Sequence, residues 1–221
     1  MQTVWLHRQD CRKLILFFAG WGSGPEPFTA FGSKEYDVLM CFDYRSVPPV
    51  FDWAEFAAPY AGIVLVAWSF GAVVANRLMA PFASQLSGAV AINGTLSPVD
   101  DIMGIPTKVF HGTLRNLSEA NIKKFNRRMF NHAGHRVRYE TALPQRGVDE
   151  LTDELHRLGI MAEPAENQVF RSAMVGTDDL IFPAANQQSA WTGRVQFVMV
   201  PWGHFPFYGF GTWDDLLNVN P

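Results

Sequence analysis

Ile63-Val64-Leu65-Val66 is an apolar run that leads straight into Ala67-Trp68-Ser69-Phe70-Gly71. A short run of this kind, rich in β-branched residues and meeting a turn, reads as a buried strand. The stretch from Phe70 to Ala80 is apolar and contains Ala, as a helix would, and Pro81 ends or kinks it. For a helix to fold back on its strand through so tight a turn, the residues two before and two after Ser69 must be small. Gly71 meets that condition, and Ala67 meets it at the cost of one methyl. The turn lifts the Ser69 hydroxyl above the sheet, turns the Phe70 N–H into the same space and sets the positive end of the helix beneath it. The plain alternative is a serine that caps a helix N-terminus.

Outward from this turn, further apolar runs read as strands: Leu14 to Phe18, Val38 to Phe42, Ala89 to Ile92, Val169 to Val175 and Phe197 to Val200. Continuous apolar strands imply a mostly parallel sheet covered by helices on both faces. Asp52 to Ala58 reads as a further short helix. Strand and helix in alternation give the α/β class, in which function gathers at the carboxyl ends of the strands. From about 116 to 159 the alternation lapses. Ile122, Phe125 and Met129 are spaced to share a helical face, and a second helix covers Val148 to Leu158, with Gly159 as its stop. The expected organisation is one domain, 1–221, with a small helical cap inserted at 116–159. Ordinary crossover helices would give the same periodicity.

The other strand ends complete a constellation. Leu14 to Phe18 leads into Ala19-Gly20-Trp21-Gly22-Ser23-Gly24-Pro25, where small residues let backbone N–H groups approach a ligand. The expected oxyanion donors are the N–H groups of Trp21 and Phe70. The glycine spacing does not match a dinucleotide fingerprint. Val169 to Val175 ends in Gly176-Thr177-Asp178-Asp179, and either aspartate can orient an imidazole. Asp179 is favoured over Asp178. Phe197 to Val200 leads to Pro201-Trp202-Gly203-His204, a histidine just past the last strand. Ser69, Asp179 and His204 therefore occur in the order Ser, Asp, His, each at a strand end. That is the order of the α/β-hydrolase fold, with serine as nucleophile and histidine as general base. His7, His111, His132, His135 and His156 lack this context and are read as structural or solvent-exposed.

Composition excludes several classes. The 221 residues carry a formal net charge of -3, which argues against wrapping nucleic acid. Two cysteines, Cys11 and Cys41, make no disulfide framework, and Cys41 sits in an apolar run as a buried thiol. The first residues lack the apolar core and cleavage site of a signal peptide, and no apolar run reaches the ~18 residues of a membrane span. A cytoplasmic protein is expected, without membrane association. No metal-ligand pattern competes with the triad, and no cofactor is implied.

Several segments together resemble the BioG family: Phe18-Ala19-Gly20-Trp21-Gly22, Cys41-Phe42-Asp43-Tyr44, Val66-Ala67-Trp68-Ser69-Phe70-Gly71, Asn93-Gly94-Thr95 and Gly104-Ile105-Pro106. So do Phe110-His111-Gly112-Thr113-Leu114 with Asn116-Leu117-Ser118, and Pro183-Ala184-Ala185-Asn186-Gln187. The resemblance runs from about Leu14 to His204. It implies a pimeloyl-[acyl-carrier protein] methyl ester esterase of biotin synthesis. Such an enzyme releases methanol and uses Ser69 as nucleophile, His204 as base and Asp179 as orienting acid. The implied partner is an acyl-carrier protein bearing a pimeloyl methyl ester, and the chain is expected to be a monomer.

The residues suit an acidic carrier. Arg115, Lys123, Lys124, Arg127, Arg128, Arg136, Arg138 and Arg146 face only Glu119 and Glu140 over the same stretch. Lys123, Lys124, Arg127 and Arg128 are the expected docking residues, against the alternative of a solvated helical face. Trp21, Trp68 and Phe205 are candidates to line an acyl channel, or else belong to the core. Another carboxylesterase or thioesterase, a non-catalytic acyl-carrier binder and a lyase using the same triad remain as competing readings.

Overall fold

The central strands are apolar on both faces because the sheet buries both. In the computed structural model, which describes residues 1–46, 53–161 and 168–219, seven strands form one sheet. They are β1 (Gln2–His7), β2 (Lys13–Phe18), β3 (Tyr36–Phe42), β4 (Gly62–Trp68), β5 (Gly88–Ile92), β6 (Ser172–Gly176) and β7 (Gln196–Val200), in spatial order β1-β3-β2-β4-β5-β6-β7. Every pairing is parallel except β1 with β3. From Leu14 to Phe18, β2 is buried at every position, as a central parallel strand requires.

Two sequence expectations about the sheet need correction, and one strand was missed. The antiparallel edge strand β1 was not anticipated, because Gln2–His7 mixes polar and apolar residues and is only half-buried. The strand expected from Val169 begins instead at Ser172. The Val169 N–H donates to the Asn76 side chain at 2.8 Å rather than to a strand ladder. The last strand, β7, was expected to be covered on both faces. It is the outer strand of the sheet, and Met199 is exposed.

The helix after Ser69 is α2 (Gly71–Met79), preceded in the chain by α1 (Trp53–Ala57). Asp52, expected to start α1, lies outside the described residues. Beyond Met79 the chain tightens into a 3-10 turn, Ala80–Gln85, that contains Pro81. Between β5 and β6 the chain is helical: α3 (Thr107–Arg115), α4 (Glu119–Arg128), α5 (Ala133–Glu140) and α6 (Val148–Gly159). The helical segment thus starts at Thr107, ahead of the expected 116. Ser118 accepts from the Asn121 N–H to cap α4. Helices α7 (Ala184–Trp191) and α8 (Trp213–Asn218) complete the chain.

Gly71 shows why the turn before α2 demands a small residue. A Cβ there would lie 2.3 Å from the Phe18 carbonyl oxygen and 2.5 Å from that of Ala19. At such distances the helix has to leave its place on β2.

Candidate active site

Ser69 sits at the end of β4 with φ of 58°, the left-handed region that costs a non-glycine residue roughly 1–2 kcal/mol. Its N–H donates to the Ile92 carbonyl at 2.9 Å, which ties the turn to the end of β5. The side chain is thereby raised toward the carboxyl edge of the sheet. There His204 Nε2 lies 3.0 Å from Ser69 Oγ, and His204 Nδ1 lies 2.8 Å from Asp179 Oδ2. A carboxylate only accepts, so Nδ1 donates to Asp179 and the Nε2 lone pair faces the serine hydroxyl. All three residues are buried.

The structure separates the two adjacent aspartates. Asp179 turns inward, and its Oδ1 accepts from the Ile181 and Phe182 N–H groups at 2.8 and 2.9 Å. Its Oδ2 takes a further bond from Gln187 Nε2 at 3.0 Å. Asp178 turns outward and accepts from Asn131 at 2.8 Å.

The Gly-rich turn lies against the serine. A Cβ on Gly20 would be 3.0 Å from Ser69 Cβ, so the backbone passes as closely as the sequence suggested. The Ala19 N–H donates to Cys41 and the Gly22 N–H to Glu154. Between them, the Trp21 N–H has no acceptor among the described residues, and neither has the Phe70 N–H across the site. Both expected oxyanion donors are therefore uncommitted.

Several supporting residues were not singled out from the sequence. Asn93, wholly buried at the end of β5, accepts from the Gly176 N–H at 2.7 Å. It donates to the Gly203 and His204 carbonyls at 2.9 and 3.0 Å. It thus joins the strand end before Asp179 to the loop that carries His204. Gln187 holds Asp179, and Glu154 holds Gly22. Asn93 and Gln187 fall within segments that carried the family resemblance, the one sequence signal that could have found them.

Two clefts adjoin the site. The smaller, about 30 Å³, is walled by Trp21, Phe70, Phe110, Phe125, Arg128 and Ile181 among others. The larger, about 270 Å³, runs between Trp21, Ile122, Phe125, Met129, Tyr139 and Leu151. Trp21 and Phe125 line both and meet edge to face, with ring centroids 5.0 Å apart. Ile122, Phe125 and Met129 thus share one apolar face, as their spacing predicted.

The expectation that Trp68 and Phe205 line an acyl channel is corrected. Both are about 2% exposed and line neither cleft. Trp68 Nε1 donates to the His204 carbonyl at 2.8 Å. Phe205 packs between Trp68 and the helical-segment rings Phe130 and Tyr139. Large rings beside the triad serve here as packing that fixes the histidine loop.

The basic residues also divide. Lys123, Lys124, Arg127 and Arg128 are all exposed on α4. Arg128 additionally donates to the Leu180 carbonyl beside Asp179. Arg146, counted in the basic field, instead turns its side chain inward, where it is 8% exposed. It pairs with Glu154 at 2.7 Å and Asp43 at 3.1 Å. Burial raises the pKa of Glu154, opposed by the neighbouring Arg146 charge. The buried Cys41 thiol is likewise pushed up to about 12 by desolvation. Among the described residues, no group of three or more His, Cys, Asp or Glu is placed to hold a metal ion. No helix among them is long and apolar enough to cross a membrane.

The family model described as pimeloyl-ACP methyl esterase BioG matches residues 1–216. The crystal structure of BioG from Haemophilus influenzae superposes with a TM-score of 0.86 at 35% identity, covering 97% of this chain and 98% of that one. A malonyl-[acyl-carrier protein] O-methyltransferase of Bacteroides fragilis is 40% identical over 182 residues, 81% of this chain. That span is only 36% of the relative's own length. The enol-lactonase from Burkholderia xenovorans, at 13% identity and a TM-score of 0.66 over 93% of this chain and 89% of that one, shares the fold alone.

Proposed function

The chain belongs to the BioG family of pimeloyl-ACP methyl esterases and has the α/β-hydrolase fold, and from this premise we propose that it is a serine carboxylesterase. It hydrolyses the methyl ester of a pimeloyl chain carried on acyl-carrier protein, giving the free carboxylate and methanol. The observation that carries the reading is the relay from Ser69 Oγ through His204 to Asp179, at 3.0 and 2.8 Å, beside apolar clefts. The B. fragilis relative, named a malonyl-[acyl-carrier protein] O-methyltransferase, supports the same pairing of O-methyl chemistry and acyl carrier.

In the first half-reaction, Ser69 Oγ attacks the ester carbonyl carbon while His204 Nε2 takes its proton. The oxyanion forms facing the Trp21 and Phe70 N–H groups. Losing one such donor typically costs about 2.7–4 kcal/mol. Asp179 stabilises the imidazolium through Nδ1. Collapse expels the alcohol oxygen, which receives the proton from His204 and leaves as methanol. Water then attacks the acyl-enzyme with His204 again as base. The product carboxylate departs and Ser69 is regenerated.

The apolar clefts suit a chain of methylenes, each worth about 0.8 kcal/mol when buried. The chain acts as one domain, in which α4 to α6 form a cap that receives the carrier. Mass spectrometry of the carrier-linked methyl ester, incubated with wild type and with Ser69→Ala, tests this reading. The expected result is loss of the methyl group with the carrier linkage intact, in wild type only. Release of free carrier would make the protein a thioesterase instead, and activity retained in Ser69→Ala would remove Ser69 as nucleophile.

A further inference from the structure

Glu154 is fully buried in α6, and no step of ester hydrolysis uses it. Its Oε1 accepts from the Tyr44 N–H at 2.9 Å. Its Oε2 accepts from the Gly22 N–H at 3.1 Å and from Arg146 Nη1 at 2.7 Å. One helical turn earlier, the Leu151 carbonyl accepts from Trp21 Nε1 at 2.8 Å. Helix α6 therefore grips two consecutive residues of the Gly-rich turn, Trp21 by its indole and Gly22 by its backbone. The residue so pinned on both sides is Trp21, whose own N–H has no acceptor among the described residues. Gly22 has φ of +71°, a conformation that glycine adopts without the penalty a side chain would add.

We propose that Glu154 is a positioning residue for the oxyanion site: by fixing the Gly22 N–H it aims the neighbouring Trp21 N–H at the oxygen that becomes negative. The proposal rests on the esterase reading above. Arg146 has a matching part. An unpaired carboxylate in a low-dielectric interior would repel the developing oxyanion. Arg146 offsets that charge and is itself held by Asp43 at 3.1 Å. As a source of stability alone, a buried ion pair is a weak device. As an acceptor for N–H groups from two separate turns, it is strongly directional.

Glu154→Gln keeps the shape but replaces one acceptor oxygen by a donor, so it cannot hold Gly22, Tyr44 and Arg146 together. The double variant Glu154→Gln/Arg146→Gln removes both charges and leaves no buried ion unpaired. Each is assayed with a small methyl ester, and by affinity for a trifluoromethyl ketone that adds to Ser69 as an oxyanion adduct. Melting temperature is followed in parallel. In both variants kcat is expected to fall about tenfold to a hundredfold, as for a misplaced catalytic group, with KM little changed. Ketone affinity should fall by the same factor. The double variant should recover melting temperature without recovering kcat.

If kcat and ketone affinity stay near wild type, or if kcat returns together with melting temperature, Glu154 is structural and the proposal is overturned. A wild type that neither hydrolyses esters nor binds the ketone would remove the esterase reading itself. An active wild type beside an unaffected variant removes only the role of Glu154.

Discussion

The side-chain amide of Asn93 donates to the carbonyl of His204 at 3.0 Å, while its oxygen accepts from the Gly176 N–H at 2.7 Å. One buried amide thus sets the spacing between the loops that carry the base and the acid. Asn93→Ala takes the side-chain partner from the Gly176 N–H and the Gly203 carbonyl, while the His204 carbonyl keeps Trp68, and each unsatisfied buried group costs about 1–3 kcal/mol. We expect a lower unfolding free energy in urea and a kcat reduced by at least about tenfold, as for a misplaced catalytic group. Wild-type kcat in a folded Asn93→Ala would show that the loops hold their spacing without it.

Asp178 and Asp179 are neighbours in sequence with opposite surroundings. Asp179→Asn removes the acceptor that fixes the His204 tautomer, and loss of the corresponding carboxylate in a triad costs about 10⁴-fold in kcat. Asp178→Asn loses an exposed bond to Asn131 and should leave kcat within a few-fold of wild type. Single-turnover rates on a small ester decide the matter. A large loss in Asp178→Asn with little in Asp179→Asn would reverse the assignment.

The strand-end constellation was legible because each part is local. Ser69, the Gly-rich turn, the aspartate pair and His204 each follow an apolar run directly. What escaped is non-local. Asn93 acts on residues far along the chain, and Glu154 reaches turns after two different strands; Gln187 is only eight residues from Asp179, but a helix has to turn it back onto the carboxylate. Arg146 reads in sequence as one more exposed cation, but its partner Asp43 lies 103 residues away. Trp68 and Phe205 were hard to place because an aromatic beside a triad serves packing and ligand walls equally well. The start of β6 was misplaced because a helix side chain, Asn76, takes the Val169 N–H.

The glycines make a contrast that stability measurements can read. A Cβ on Gly71 would overlap the backbone oxygens of Phe18, at the end of β2, and of Ala19 just beyond it, whereas one on Gly112, within α3, meets nothing within 4 Å. Gly112→Ala is expected to stabilise by about 0.5–1 kcal/mol, the helix penalty of glycine. Gly71→Ala should be strongly destabilising and fail to yield folded protein. Equal melting temperatures for the two variants would contradict the packing of α2 on β2.

Acid should weaken the fold through Asp43. Its hydrogen bonds to Arg45 outweigh the opposing effect of burial and, with the nearby Arg146 charge, lower its pKa from 3.8 to about 2. A carboxyl whose folded pKa is depressed contributes stability above its unfolded pKa, lost as pH falls through the folded value. The contribution is about 2 kcal/mol at neutral pH, and it should disappear between about pH 4 and pH 2. Urea unfolding of wild type and Asp43→Asn should therefore differ at pH 6 and converge toward pH 2. A constant difference across that window would show that Asp43 is not the titrating group.

Carrier docking on α4 predicts a split between substrates. Lys124 and Arg127 are exposed and line neither cleft, whereas Lys123 borders the larger cleft and Arg128 the smaller. Lys124→Glu with Arg127→Glu therefore tests long-range attraction without touching the site. Placing like charges opposite an acidic carrier costs several kcal/mol at close contact and less at an exposed rim, so KM for the carrier-linked ester should rise about tenfold. KM for a small soluble ester should stay unchanged. Added salt should raise the wild-type KM for the carrier-linked ester alone, because exposed charges are screened over about 8 Å at physiological ionic strength. An equal rise for both substrates would mean that the reversal disturbs the site rather than the docking surface.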